Sequence, residues 1–133
     1  MAIDIAVHVK NEMLTAFMYK IATQDGSGKL IFYGDPRPTN GIAITTQTKY
    51  AEATMPPPNL SSIQFGVFSV TGIPSALVLM NGKIGWVRLV DGSGNWITDL
   101  NVGLSGSQAD VIVTDVNVLQ GGSVIVHSLT FSL

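Results

Sequence analysis

The side chains in this sequence that could do chemistry are few, and their spacing is uninviting. Among 133 residues there are two histidines, nine acids and no cysteine. Without cysteine the chain has no disulfide, no thiolate metal site and no thiol nucleophile. His8 lies four residues before Glu12, side by side if that stretch is helical. Such a pair can hold a metal weakly or form a solvated contact, and no second histidine stands at zinc-ligand spacing. His127 falls between Ile125 and Leu129, where a packed structural histidine is expected rather than a base. No Gly-x-Ser-x-Gly elbow, Walker loop or dinucleotide fingerprint occurs. Asp91, Asp99, Asp110 and Asp115 are scattered, and two of them meeting across strands would resemble a glycosidase dyad. Turn and edge positions are the commoner use of such aspartates. Asp-Gly-Ser-Gly occurs at 25–28 and 91–94, offering oxygen ligands without the alternating acids of a calcium loop. These readings predict no catalytic residue, no cofactor and no metal, hence a protein that is not an enzyme.

Three other residues stand out as a packing or ligand surface: Trp86, Arg88 and Trp96. A hairpin centred symmetrically on Asp91 would set the two indoles face to face, an aromatic pair worth up to about 1 kcal/mol. The alternative use is a stacking platform for a sugar. Few basic residues accompany the rings, so a nucleic-acid platform is not expected.

The elements that would position these residues begin with a helix over residues 4–24. Ile5, Val9, Met13, Phe17 and Ile21 recur every four residues, widened by Ala6, Leu14 and Met18. Asp4 suits the N-cap, Lys20 suits the negative end of the helix dipole, and Gly26-Ser27-Gly28 stops the helix. The apolar face either packs on the core or docks on a neighbouring subunit. From residue 29 the period changes to two, and residues 29–133 read as strands. A first strand at 29–33 leads to a rigid loop, 34–41, containing Pro36, Arg37 and Pro38. Weaker strands follow at 42–46 and 49–55, then Pro56-Pro57-Pro58 breaks the sheet. Further strands are expected at 63–70, 76–80, 83–90, 96–102, 111–119 and 123–133. Asn81-Gly82 reads as a hairpin turn between two of them. The predicted fold is mainly β: an antiparallel β-sandwich or jelly-roll-like barrel preceded by one amphipathic helix. The whole chain, 1–133, is read as a single domain.

Composition narrows the function classes. Seven basic and nine acidic side chains give a net charge of −2 and a charged fraction of 12%, about half the usual ~25%. The apolar fraction is 46% and mean hydropathy is +0.36. So few charges leave apolar surface to meet partner subunits. The cations are scattered, which argues against nucleic acid. No stretch is long enough for a membrane helix, and Met1-Ala2-Ile3-Asp4 is no start for a secretory signal. A soluble protein made in the cytoplasm is expected.

Three stretches resemble a known group: Gly85-Trp86-Val87-Arg88-Leu89-Val90-Asp91-Gly92-Ser93-Gly94, Asp99-Leu100-Asn101-Val102-Gly103-Leu104-Ser105-Gly106-Ser107, and Gly121-Gly122-Ser123-Val124-Ile125-Val126-His127-Ser128-Leu129-Thr130-Phe131. The sequence is similar here to small tailed-phage and prophage proteins encoded among virion genes. A helical start, a strand like Gly28-Lys29-Leu30-Ile31-Phe32-Tyr33 and a proline loop like Asp35-Pro36-Arg37-Pro38 extend the likeness. It departs from that pattern at Pro56-Pro57-Pro58 and Gln108. The resemblance implies a structural virion protein, made in the host cytoplasm, that decorates or cements the capsid or forms a neck or collar ring. Its implied partners are other capsid, neck or tail subunits, including copies of itself. Ile5, Val9, Met13, Phe17, Pro36, Arg37 and Pro38 are the candidate contact residues. A receptor- or carbohydrate-binding tail or fibre module is the alternative.

Overall fold

The computed structural model describes residues 5–22, 27–39, 41–56 and 61–133. The N-cap read at Asp4, the helix stop at Gly26 and most of the Pro56-Pro57-Pro58 break lie outside them. Among the described residues one helix, α1 (Val7–Ala22), precedes twelve strands: β1 (Lys29–Tyr33), β2 (Lys49–Thr54), β3 (Ser61–Gln64), β4 (Val67–Val70), β5 (Ala76–Leu77), β6 (Gly82–Lys83), β7 (Trp86–Val90), β8 (Trp96–Gly103), β9 (Val111–Val113), β10 (Asn117–Val118), β11 (Ser123–Val124) and β12 (Val126–Ser132). The fold is mainly β with one N-terminal helix, as the periodicity predicts.

Eight strands form one curled sheet in the order β2-β1-β7-β8-β9-β12-β4-β3, and β10-β6 and β11-β5 form two small ladders. One buried apolar cluster joins Leu30, Phe32, Val87 and Leu89 from one half to Phe68, Val70, Val111 and Leu129 from the other. The halves therefore enclose a common core, as the layers of a sandwich do. The pairings are antiparallel except β8 with β9, which run parallel at Val102↔Val111 and Gly103↔Ile112. Two overlapping pairs require the chain to retrace only about 7 Å, so residues 104–110 suffice where a full parallel crossover needs a helix.

Helix α1 turns Leu14 and Ile21 into this core, with Phe17 and Met18 packed beside them. That face follows the i, i+3, i+4, i+7 pattern. A strict four-residue repeat advances 400° per step and drifts about 40° around the helix each time. Val9 and Met13 consequently come round to the side of the helix and stay exposed.

Several predicted elements are revised. Residues 42–46 form no strand; they belong to a long loop. Residues 63–70 are two strands, because Gln64 pairs with Val67 and the chain reverses at Phe65-Gly66. Asn81-Gly82 is no hairpin turn: β5 pairs with β11 and β6 with β10. Asn81 Oδ1 instead accepts the Gln120 amide at 2.8 Å, tying the two distant segments together. Segment 111–119 is divided into β9 and β10. In the last segment the register shifts between Val126 and Ser128. That bulge puts Val126 and Leu129 inside and leaves Ile125 and His127 exposed, against the expected alternation.

Candidate functional surfaces

Strand β7 separates two environments. Val87 and Leu89 face the common core, and by alternation Trp86 and Arg88 face the opposite side. That outer side is roofed by the loop between β1 and β2. Antiparallel pairing with β8 sets Arg88 opposite Asp99. Arg88 donates from Nε to Asp99 Oδ1 at 2.8 Å and from Nη2 to Asp99 Oδ2 at 3.1 Å. The pair is nearly sealed, with side chains 9% and 0% exposed. A buried ion pair survives only if its remaining donors and acceptors are also matched. Here they are. Arg88 Nη2 also donates to Ile42 O at 2.9 Å, and Trp96 Nε1 donates to Asp99 Oδ1 at 3.1 Å. Burial alone would push the Asp99 carboxyl up, but the bonds from Arg88 and Trp96 outweigh it and hold the carboxyl below its ordinary range.

The roof is tied down at further points. Arg37 donates to Asn101 Oδ1 and to Asp99 O, both at 2.7 Å. Gln47 Nε2 donates to Pro36 O at 2.7 Å, and the Asp35–Pro36 peptide is cis. Trp86 Nε1 donates to Gly34 O at 3.0 Å. The Trp86 ring is stacked on Tyr33 with centroids 5.0 Å apart, and the Arg88 guanidinium lies 5.3 Å from its centre. Gly41 lies over the Trp96 ring so closely that a Cβ there would come within 3.1 Å of it, and its φ is +75°.

This geometry revises the relation of the two tryptophans. The β7–β8 register pairs Trp86 with Asn101 and Val90 with Trp96, so the indoles do not face each other. The turn carries more residues on the β8 side, and a bulge between Leu89 and Val90 shifts the pairing. Trp86 is buried and offers no open stacking face; Trp96 is exposed. Asp91 spends its carboxylate locally, accepting the Ser93 and Asn95 amides at 3.0 and 2.9 Å. Lys20 of α1 approaches it at 3.4 Å. The bonds from Asn95, with those from Ser93 and Lys20, hold the Asp91 carboxyl below its usual range against its burial. Asp110 and Asp115 also accept backbone amides, from Asn101 and Asn117. His8 and Glu12 lie on the exposed side of α1, and His127 Nε2 meets Thr114 Oγ1 at 3.0 Å. Among the described residues no group of three metal-ligating side chains converges, and no buried side-chain polar atom lacks a partner.

The second surface lies on the core side, where the N-terminal half of α1 meets the ends of β4 and β12. Phe17 stacks on Phe131 with centroids 4.8 Å apart and meets Phe68 edge-on at 5.5 Å. Beside it runs an open groove of about 340 Å³ lined by Met13, Leu14, Phe17, Ile97, Phe131 and Leu133, with Thr98 its polar member. Met13 is 44% exposed there; Val9, one turn earlier on α1, is 37% exposed, and Ile5 is half-buried.

The candidate contact residues thus fall into two groups on opposite faces of the β1-β7-β8 sheet. Met13 and Phe17 line the groove, whereas Ile5 and Val9 precede them in the chain and are not part of its lining. Pro36 and Arg37 are exposed in the roof and Pro38 is half-buried there, with the Arg37 guanidinium turned onto β8. Sequence reasoning missed Asp99 as the partner of Arg88, and Ile97, Phe131 and Leu133 as groove residues. Only the true hairpin register and the β12 bulge bring them into place. No family model matches the chain, and neither a curated protein nor a solved structure matches it.

Proposed function

We propose that this chain is a structural virion protein of a tailed bacteriophage, a subunit that decorates or cements the capsid or builds a neck or collar ring. One observation carries the reading: α1 leaves an apolar side uncovered beside a groove lined almost wholly by apolar side chains. Water-exposed apolar surface of that kind favours association with another protein surface. The low charge of the chain supports the same reading, because symmetric assemblies multiply many weak apolar contacts. Of the polar residues weighed for a reaction centre, Asp99 is tied up with Arg88 in the roof network and Asp91, Asp110 and Asp115 accept local backbone amides, which suits a scaffold. The resemblance of the β7–β8 and β11–β12 segments to virion-encoded proteins supplies the setting. The chain does no chemistry on a substrate, and its partners are other virion subunits.

The test is incorporation. Met13→Asp alters an exposed side chain, so the protein should keep its fold by circular dichroism, yet its content in purified particles should fall at least tenfold. Full incorporation of the folded variant would remove α1 from the contact surface.

A further inference from the structure

The turn between β3 and β4 holds an anomaly. Phe65 and Gly66 form a two-residue hairpin loop with φ of +51° and +74°. Both central residues at positive φ mark a type I′ turn, whose first position strongly prefers Asn, Asp or Gly. Phenylalanine there is strained, because its Cβ crowds the backbone. Its ring gains nothing inside the subunit, since Phe65 is 81% exposed. Strain at a bulky residue without internal compensation is characteristic of a functional position.

The turn is braced from two sides. Asn11 Oδ1 on α1 accepts the Gly66 amide at 2.9 Å, and the Leu133 amide donates to Gly66 O at 3.1 Å. A Cβ on Gly66 would sit 3.0 Å from the Lys10 side chain. Phe65 is therefore a knob on a fixed mount. Leu133, which braces the mount, also lines the apolar groove with Met13 and Phe17. Knob and groove are neighbours on one end of the molecule.

We infer that the occupant of this groove is the Phe65 ring of a second copy of the chain, in a two-fold symmetric pair. Resting on the assembly reading, this names the first contact that the assembly makes. A knob beside its own complementary groove closes under a two-fold axis, which makes both insertions at once. A head-to-tail contact would leave one knob and one groove unsatisfied. The available area agrees. Phe65, Met13 and Leu133 are 81%, 44% and 43% exposed, with Val9 one helical turn before Met13, and two such patches facing each other supply the apolar centre of a standard interface of ~800 Å² per partner. The aromatic ring in an apolar slot is the kind of anchor that dominates such interfaces.

The substitution Phe65→Asn separates this contact from folding. Asparagine is favoured at that turn position, so the subunit should melt at the same or a higher temperature once the contribution of dimerisation is removed. Sedimentation equilibrium on the full chain should give twice 14.1 kDa for the parent and 14.1 kDa for Phe65→Asn. Met13→Asp, at the groove, should also give the monomer mass. A parent that stays monomeric into the high micromolar range overturns the inference, as does a Phe65→Asn protein that remains dimeric. The assembly reading is judged separately: a monomeric parent still found in purified particles would leave that reading standing, and a dimer absent from particles would remove it alone.

Discussion

The Arg88–Asp99 pair shows how much of the outer side depends on two side chains. Removing the arginine leaves a carboxylate enclosed with only the Trp96 N–H as a side-chain donor. Arg88→Ala should destabilise the chain by about 3–5 kcal/mol, measured by urea unfolding. Replacing both partners, as Arg88→Met with Asp99→Leu, should recover most of that loss, since no unpaired charge remains. A double variant no better than the single one would show that the pair acts mainly through the roof backbone at Ile42.

The same carboxylates set the acid response. Asp99, Asp91 and Glu52 are all held below their ordinary values, Glu52 chiefly by its hydrogen bond from Lys49. A depressed folded-state value adds stability above the unfolded carboxyl value, about 4, and that stability disappears as pH falls through the folded values. Melting temperature should therefore hold steady from pH 7 to 5 and drop steeply toward pH 3. A flat profile down to pH 3 would contradict the assigned hydrogen bonds. Residue chemistry of this kind was partly legible in the sequence. Trp86, Arg88 and Trp96 stand out by type, and they do share one network. Their partner Asp99 was hidden because it follows from register, and register depends on a bulge that no residue type announces.

At the scale of elements, α1 carries the argument. Its core face holds the helix to the sheet through Phe17, clasped between Phe131 and Phe68. Phe17→Ala should cost about 2–4 kcal/mol in urea unfolding, as large-to-small changes in packed aromatic contacts do. Met13 lies one turn away but points aside, and Met13→Asp should change stability by less than about 0.5 kcal/mol. Equal losses at both positions would mean that Met13 is a core residue. The existence of the helix was plain from its period, and so was the change to strands after Gly28. Which side chains face inward was not plain. Of the four-residue repeat, Phe17 and Ile21 do face inward but Val9 and Met13 do not, and the helical pitch completes the core face with Leu14 and Met18 from the margin of the stripe. The Asn81-Gly82 pair misled for a related reason. Turn chemistry is local, and here the asparagine serves a contact with Gln120, 39 residues away.

For the whole molecule, strand spacing was informative and topology was not. Short strands separated by glycine turns pointed to a sandwich-like sheet, while low charge and high apolar content remain the ground for the proposed subunit contacts. The order β2-β1-β7-β8-β9-β12-β4-β3 rests on long-range pairings, and the parallel step from β8 to β9 has no local signature. That step lets one sheet curl into two facing halves. The curl puts the exposed side of α1, the β3–β4 turn and the end of β12 together at one end, and the roof network on the far face. One end is apolar and open to solvent; the far face carries polar side chains paired with one another. The proposed scaffold role would use both properties.

The most direct test of that account is the copy number of this chain in purified particles of the phage or prophage that encodes it, by quantitative mass spectrometry against the major capsid protein. The account predicts a reproducible ratio that fits a symmetric assembly, near parity for capsid decoration or a small fixed number per particle for a ring. Absence from intact particles would contradict it.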